Sequence, residues 1–268
     1  MRDREWDRKK RVLLFIPAYN CQQQIIRVLG QLDEDVMRYV TDVIVVNNRS
    51  TDGTEEAVLD FRREHPGFPL KLLRNRENYG LGGSHKVAFQ YALRNKYDFV
   101  IVLHGDDQGN IRDFLPVFRK RLYEGYDCVL GARFMRGSRL QGYSLFRTFG
   151  NLVYNFLFAI GLRRRVFDLG SGLNLYCTEM LSDKFFLRFP DDLTFNYCMV
   201  MALQYYKQRA RFYPVSWRET DQVSNVKMGS QAIRVLKMLG RYLLSPRSLE
   251  GEFRQEIRDS YEAEEIDP

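Results

Sequence analysis

The sequence predicts an α/β fold with a mostly parallel central sheet flanked by helices, and with amphipathic interfacial helices in its C-terminal half. Three observations predict it. Short, almost wholly apolar runs recur through the first half, the pattern of strands buried on both faces of a parallel sheet. Amphipathic helical segments alternate with these runs, as strand–helix–strand units with right-handed crossovers require. The most polar loops follow the apolar runs, at the carboxyl ends of the strands, where such sheets bind ligands.

The elements follow in chain order. RVLLFI, residues 11–16, stops at Pro17 and reads as the first strand. VIVVNN, centred on Val43 to Val46, reads the same way, as do LKLLR (70–74), FVIVLH (99–104) and CVLGA from Cys128. Between them, residues 22–38 carry Ile25, Ile26, Leu29, Leu32 and Val36 at helical spacing. Residues 54–64 open after STDG, a capping segment. Residues 83–95 carry Val87, Ala88, Tyr91 and Ala92. Farther on, the aromatic-rich segment 143–162 has Arg139 before it and Arg163, Arg164 and Arg165 after it. Segment 230–244 places Ile233, Leu236, Leu239, Tyr242 and Leu243 on one side and Arg234, Lys237 and Arg241 on another. Both fit helices in a membrane interface, and both fit helices packed on a core.

These readings divide the chain into a charged extension (1–10), a main domain (11–228, including helix 143–162), a second amphipathic helix (229–249) and an acidic tail (250–268) expected to fray. A 45% hydrophobic, 14% aromatic composition excludes wholesale disorder. A net charge of +7 suits an anionic partner. No nucleic-acid-binding motif accompanies it, so nucleic acid is not an expected partner. Cys21, Cys128, Cys177 and Cys198 are scattered, and read as reduced core residues of a cytosolic protein. The apolar stretch NLVYNFLFAIGL falls short of the ~20 residues a spanning helix needs, so no crossing of a bilayer is expected. The charged MRDREWDRKKR does not fit a secretory signal.

Three loops carry chemistry. HGDDQ, His104 to Gln108, sets a carboxylate pair at a strand exit, a seat for Mg2+ or Mn2+, with Gln108 as a neutral oxygen ligand; it also reads as a plain turn. NNRSTDGT, Asn47 to Thr54, offers amide and carboxylate groups to a base or ribose, while Asp52 equally reads as a helix cap. GLGG from Gly80 would let backbone approach a phosphate, but it lacks the spacing of a dinucleotide fingerprint, so hydride transfer is not expected.

The ordered series IPAYN, VVNNRSTDGT, NYGLGG, VLHGDDQ, VLGARF and FDLGSGLNLY resembles the family 2 glycosyltransferases of the GT-A fold, in the branch of dolichyl-phosphate mannose synthase and the polyprenyl-phosphate glycosyltransferases. The resemblance runs over roughly residues 12–227. It implies inverting, metal-dependent transfer of a sugar from a UDP- or GDP-sugar to a polyprenyl (dolichyl or undecaprenyl) phosphate. The enzyme would be peripheral at the cytoplasmic membrane face, with room for a separate membrane partner or a homo-oligomer. It places Pro17, Ala18, Tyr19, Asn20, Asn48, Asp52, Gly82 and Gly105 around the donor nucleotide. It places Asp106 and Gln108 on the metal, with His104 where the family has its first acid. Arg133, Arg147, Ser224 and Lys227 would hold the acceptor phosphate, and Asp106, Arg133 and Asp168 would form the catalytic set. Arg147 also fits a snorkelling residue, and Asp168 a turn cap. Two alternatives stand beside this reading. One is a glycan or lipopolysaccharide hydroxyl acceptor, with Asp191 or Asp192 as general base, although both also fit helix caps. The other is a non-catalytic nucleotide-sugar-binding relative, suggested by Asn47, Asn48 and His104 in place of acids.

Overall fold

The computed structural model describes residues 10–221 and 228–267. Its core is one twisted sheet of eight strands. The first four arise from the apolar runs: β1 (Val12–Ala18), β2 (Asp42–Asn47), β3 (Leu70–Asn75) and β4 (Phe99–Leu103). Every residue of β1 is buried. Its side chains alternate, Leu13 and Phe15 feeding one core and Val12, Leu14 and Ile16 the other. Pro17 does not end the strand. The ladder with β4 stops at Phe15, so the missing N–H at Pro17 lies beyond that pairing, and β1 runs on beside β2 to Ala18.

Helices connect these strands. α1 (Gln22–Leu29) and α2 (Glu34–Met37) replace the single expected helix 22–38. The chain breaks between them because the Asp33 carboxylate caps α2, accepting from Val36 N at 3.1 Å. Leu32 and Val36 are buried all the same, so the apolar spacing marked burial rather than continuity. α3 (Thr54–Glu64) has the expected bounds, and α4 (Gly80–Arg94) starts three residues before the expected 83.

The second half adds α5 (Leu115–Arg119), β5 (Cys128–Ala132), β6 (Arg139–Gln141), α6 (Leu145–Leu162), β7 (Leu173–Cys177), α7 (Phe195–Tyr205), β8 (Ala210–Pro214), β9 (Ser216–Arg218), α8 (Met228–Leu244) and β10 (Ala263–Ile266). The sheet order is β10-β3-β2-β1-β4-β7-β5-β8, with β6 and β9 forming a separate ribbon. β7 and β10 run antiparallel to their neighbours, and the other pairs are parallel. This is the predicted mostly parallel α/β sheet.

Helix α6 is 18 residues long and, by length and composition, long and apolar enough to cross a membrane; only 17% of it is buried. That corrects the reading that this stretch is too short to span. α8 presents a different face from the expected one. Leu239 and Tyr242 are buried with Val235 and Met238, while Ile233, Leu236 and Leu243 stay exposed.

The acidic tail is ordered, against expectation. β10 adds antiparallel to β3, pairing Ala263 with Asn75 and Ile266 with Leu72. Upstream, the buried Tyr261 donates its hydroxyl to Asp191 at 2.7 Å and stacks edge-on against Tyr79 at 5.3 Å. Beneath it lies Lys86, fully buried, donating to Asp191 Oδ1 at 2.5 Å and to the Phe189 carbonyl at 2.6 Å. Removing the Tyr261 ring would open a cavity and thin the partners of a buried ion pair. Tyr261→Ala is expected to cost about 3–5 kcal/mol. A urea titration followed by tryptophan fluorescence checks this; an unchanged midpoint would return the tail to the frayed state first expected.

Candidate active site

The carboxyl ends of β1, β2 and β4 bring three loops onto one rim. Gly105 N donates to Pro17 O at 3.1 Å, and a Cβ at Gly105 would lie 2.8 Å from that oxygen, so only glycine lets the β4 loop seat against β1. Asn48 N donates to Ala18 O at 2.9 Å, and Asn20 Oδ1 accepts from Thr51 N at 2.8 Å. Pro17, Ala18, Tyr19, Asn20 and Asn48 thus form one continuous shelf, with Tyr19 exposed upon it.

Several side chains singled out from sequence are already engaged. Asp52 Oδ2 accepts from Gln22 N at 3.2 Å, and its Oδ1 accepts from Thr54 N at 3.0 Å, so Asp52 ties the starts of α1 and α3 together. Asn48 Oδ1 accepts from Tyr79 N at 2.8 Å and Asn75 Nδ2 at 2.9 Å, while its Nδ2 donates to Asn78 at 2.7 Å. Asn48 therefore builds the shelf from behind. Gly82 does not line an open phosphate nest: a Cβ there would lie 2.3 Å from Pro190 O and 2.8 Å from Phe195 Cβ. Gly80 and Gly82 serve close packing of α4 against the 190–195 segment, Gly83 makes room for the Tyr79 side chain, and the positive φ of 73° at Gly80 starts that helix.

The two acids of HGDDQ separate. Asp107, at φ 59° and 1% exposed, turns inward. It accepts from Arg27 Nε at 2.6 Å and Gln31 Nε2 at 3.0 Å and is paired with Arg218. Asp106 turns the other way, its side chain 36% exposed. Burial by the loop walls pushes its carboxyl up to about 6, the N–H of Gln108 opposing and the Asp107 charge adding. His104 Nδ1 lies 4.0 Å from Asp106 Oδ2, and its ring covers Gly172, where a Cβ would lie 2.7 Å from it. Burial, with the Arg133 charge, drives His104 down to about 4, so it is a neutral imidazole near pH 7. Its Nε2 is buried with no hydrogen-bond partner among the described residues.

Among the described residues no three His, Cys, Asp or Glu side chains converge as a metal cage. The donor set that is present still fits Mg2+ or Mn2+. Such ions accept one or two protein carboxylates and take their other oxygens from water and substrate phosphates. Asp106 supplies the carboxylate, His104 a neutral nitrogen beside it, and Gln108 follows on the same turn, its carbonyl accepting from Arg218 N at 3.0 Å.

Across the sheet, Arg133 and Asp168 form a buried, bidentate pair. Arg133 Nε donates to Oδ2 and Nη2 to Oδ1, both at 2.8 Å, and Arg133 N adds a third bond at 2.8 Å. Trp217 and Phe134 cover the guanidinium at 4.9 and 5.1 Å. Arg147 donates to both Glu219 oxygens at 2.7 Å and lies over Tyr143 at 4.7 Å. Ser224 and Lys227 lie outside the described residues. Asp191 is held by Lys86, Tyr261 and Arg258. Asp192 caps the approach to α7, accepting from Thr194 N at 2.8 Å, and pairs with Arg234. The cap reading thus describes Asp192, while Asp191 belongs to the buried Lys86 cluster.

Sequence reasoning missed the Arg27–Gln31–Asp107–Arg218 clamp. Its hydrogen-bonded partners stand up to 111 residues apart, so no local motif announces it.

The glycosyl transferase family 2 profile matches residues 14–185. Two uncharacterized proteins of Methanocaldococcus jannaschii are 28% and 26% identical to this chain, over 64% and 87% of it and 66% and 99% of their own lengths. The dolichol-phosphate mannosyltransferase of Pyrococcus furiosus is 22% identical over 51% of this chain, which spans 37% of that enzyme. Among solved structures, glucosyl-3-phosphoglycerate synthase from Mycobacterium tuberculosis, in complex with Mn2+, UDP-glucose and phosphoglyceric acid, aligns with a TM-score of 0.61 at 16% identity. That alignment covers 87% of this chain and 80% of that one, and it establishes the shared fold. With the profile covering more than half of its length, the chain belongs to the family 2 glycosyltransferases.

Proposed function

We propose that this glycosyltransferase moves a sugar, with inversion, from a nucleoside diphosphate sugar to a polyprenyl phosphate, as a peripheral protein at the cytoplasmic face of a membrane. The observation that carries the lipid acceptor is the outer face of α6. Phe146, Phe149, Phe156 and Ile160 are 74, 67, 64 and 60% exposed on it. Leaving them in water forgoes about 1.5–3 kcal/mol each, which an acyl layer would recover. The same helix starts beside the Arg133–Asp168 pair, since Tyr143 lies within 6.0 Å of the Arg133 guanidinium. A lipid-borne phosphate would therefore arrive where the rim opens. The likeness to the Pyrococcus dolichol-phosphate enzyme supports the same acceptor class.

In this reading an acceptor phosphate oxygen, ionised near neutral pH, forms the new bond to the anomeric carbon as the bond to the departing nucleoside diphosphate breaks. No strong general base is needed, and the protein contributes positioning and charge neutralisation. Asp106, with His104 and Gln108, would hold the divalent ion. That ion supplies charge neutralisation at the leaving diphosphate. The Asp107 clamp holds the loop so that the Asp106 carboxylate is oriented before substrate arrives. Pro17, Ala18, Tyr19 and Asn20 take the nucleoside on the shelf that Asn48 and Asp52 brace. Arg147 exchanges Glu219 for the acceptor phosphate, its side chain being 28% exposed, with Ser224 and Lys227 as further ligands. Arg133 remains with Asp168 as a strut.

Arg147→Ala is expected to raise the acceptor KM about tenfold and leave the donor KM unchanged. Initial rates with each substrate varied check it; a shift confined to the donor would remove Arg147 from the acceptor site. The function itself is tested by offering labelled UDP- and GDP-sugars with polyprenyl phosphate, a free glycan or phosphoglycerate. Product on the glycan or phosphoglycerate, and none on the lipid, would overturn the proposed acceptor.

A further inference from the structure

Where α8 ends, the chain turns through residues 246–250 and leaves an open cleft of about 850 Å³. Lys237, Arg241 and Arg247 line it, with Ser245, Ser248 and Leu244. None of the three cations has a carboxylate partner among the described residues. The acids that follow in sequence are turned elsewhere: Glu250 accepts from Tyr205, and Glu252 accepts from Arg254 Nε at 2.8 Å. Arg241 is steadied over Phe253 at 5.1 Å, and a Cβ at Gly251 would lie 3.3 Å from Arg241 Nη2, so glycine leaves that guanidinium its place. The Ser248 hydroxyl is buried and has no hydrogen-bond partner among the described residues. Three cations without a described carboxylate partner around one hollow suit a phosphate group.

The surroundings decide what carries that phosphate. Leu244, at the cleft edge, is 91% exposed, and Leu236 and Leu243 are exposed on the same helix. α8 packs directly on α6, where a Cβ at Gly161 would meet Leu239 at 3.2 Å and Leu243 at 3.4 Å. The exposed apolar surface therefore runs on from α6 to α8. Neither helix contains an acidic residue, and Arg163, Arg164 and Arg165 follow α6. Apolar surface flanked by cations is complementary to an anionic bilayer.

We propose that this cleft binds the phosphate of an anionic lipid headgroup, apart from the transfer site, and so sets the tilt at which the α6–α8 face enters the membrane. The inference rests on the membrane reading of α6. Its test is co-sedimentation of the full chain with phosphatidylcholine vesicles, with and without phosphatidylserine. A variant carrying Lys237→Gln, Arg241→Gln and Arg247→Gln is compared with one carrying Phe149→Ser and Phe156→Ser. The phosphatidylserine vesicles are expected to bind the native chain more tightly. The cation variant should lose that gain, on the order of a hundredfold for three charges, while transferring sugar to a detergent-soluble polyprenyl phosphate at the native rate. Equal binding of the cation variant and the native chain, with binding lost in the Phe variant, would overturn the headgroup site and leave the membrane reading standing. Native binding in both variants would sink both. Displacement by millimolar inorganic phosphate at fixed ionic strength would show a free-anion site, and a stable dimer that excludes vesicles would show that a second copy covers the face; either overturns the proposal.

Discussion

Asp106→Asn is expected to lower turnover by about 10³-fold while the protein stays folded. The magnitude follows from where the charge sits. Asp106 is the acid of the HGDDQ turn that faces the rim, where it would hold the divalent ion, and positive charge placed against a developing anion is the largest single contribution most active sites make. Its neighbour cannot substitute, because Asp107 is buried against Arg27, Gln31 and Arg218. Asparagine keeps the shape and an oxygen able to accept from Gln108 N, so the turn persists. It removes the charge, and with it the carboxylate a hard divalent ion prefers. Two measurements separate the effects. Single-turnover transfer reports the chemistry, and titration of Mn2+ by electron paramagnetic resonance, in the presence of nucleoside diphosphate, reports ion binding without turnover. Near-native transfer by the variant would remove Asp106 from the site. Lost transfer with unaltered Mn2+ binding would move the ion elsewhere.

How far the sequence discloses this arrangement depends on which interactions are local. β1, β2 and β4 are readable because parallel strands buried on both faces concentrate Val, Ile and Leu. β7 escapes notice. LNLYC sits between β4 and β5 inside a segment that reads as a loop motif, and its antiparallel pairing leaves no mark on composition. β10 escapes more completely, because its pairing with β3 is reinforced by charge: Glu264 bonds Arg74 Nε at 2.8 Å and Glu265 bonds Lys71 at 2.9 Å. A strand fastened by ion pairs between exposed side chains resembles a solvated tail. The site shows the same division. The order of the polar loops is visible, since each follows its strand. Which of Asp106 and Asp107 faces outward is not, since that depends on a left-handed backbone at Asp107 and on partners 80 and 111 residues away. Nor does the chain order of Arg133 and Asp168 reveal that they neutralise each other.

That pair supports the second large expectation. Asp168→Ala should destabilise the protein by about 3–5 kcal/mol, because it leaves the Arg133 guanidinium unpaired and only 9% exposed. For a chain of this size the loss corresponds to a fall in Tm of roughly 10 °C, readable by calorimetry. Desolvation rather than lost attraction is the cause, so replacing both partners should restore much of the loss. Arg133→Met combined with Asp168→Leu fills the same space with apolar groups facing Trp217 and Phe134. The double variant also decides what the pair does. If it regains both stability and transfer, Arg133 and Asp168 are a strut joining the end of β5 to the loop before β7. If it regains stability and stays inactive, one of the two touches the substrate, as the family resemblance implies. A single Asp168→Ala variant with native Tm would contradict the buried pair itself, since a desolvated guanidinium without its carboxylate has no way to keep that stability.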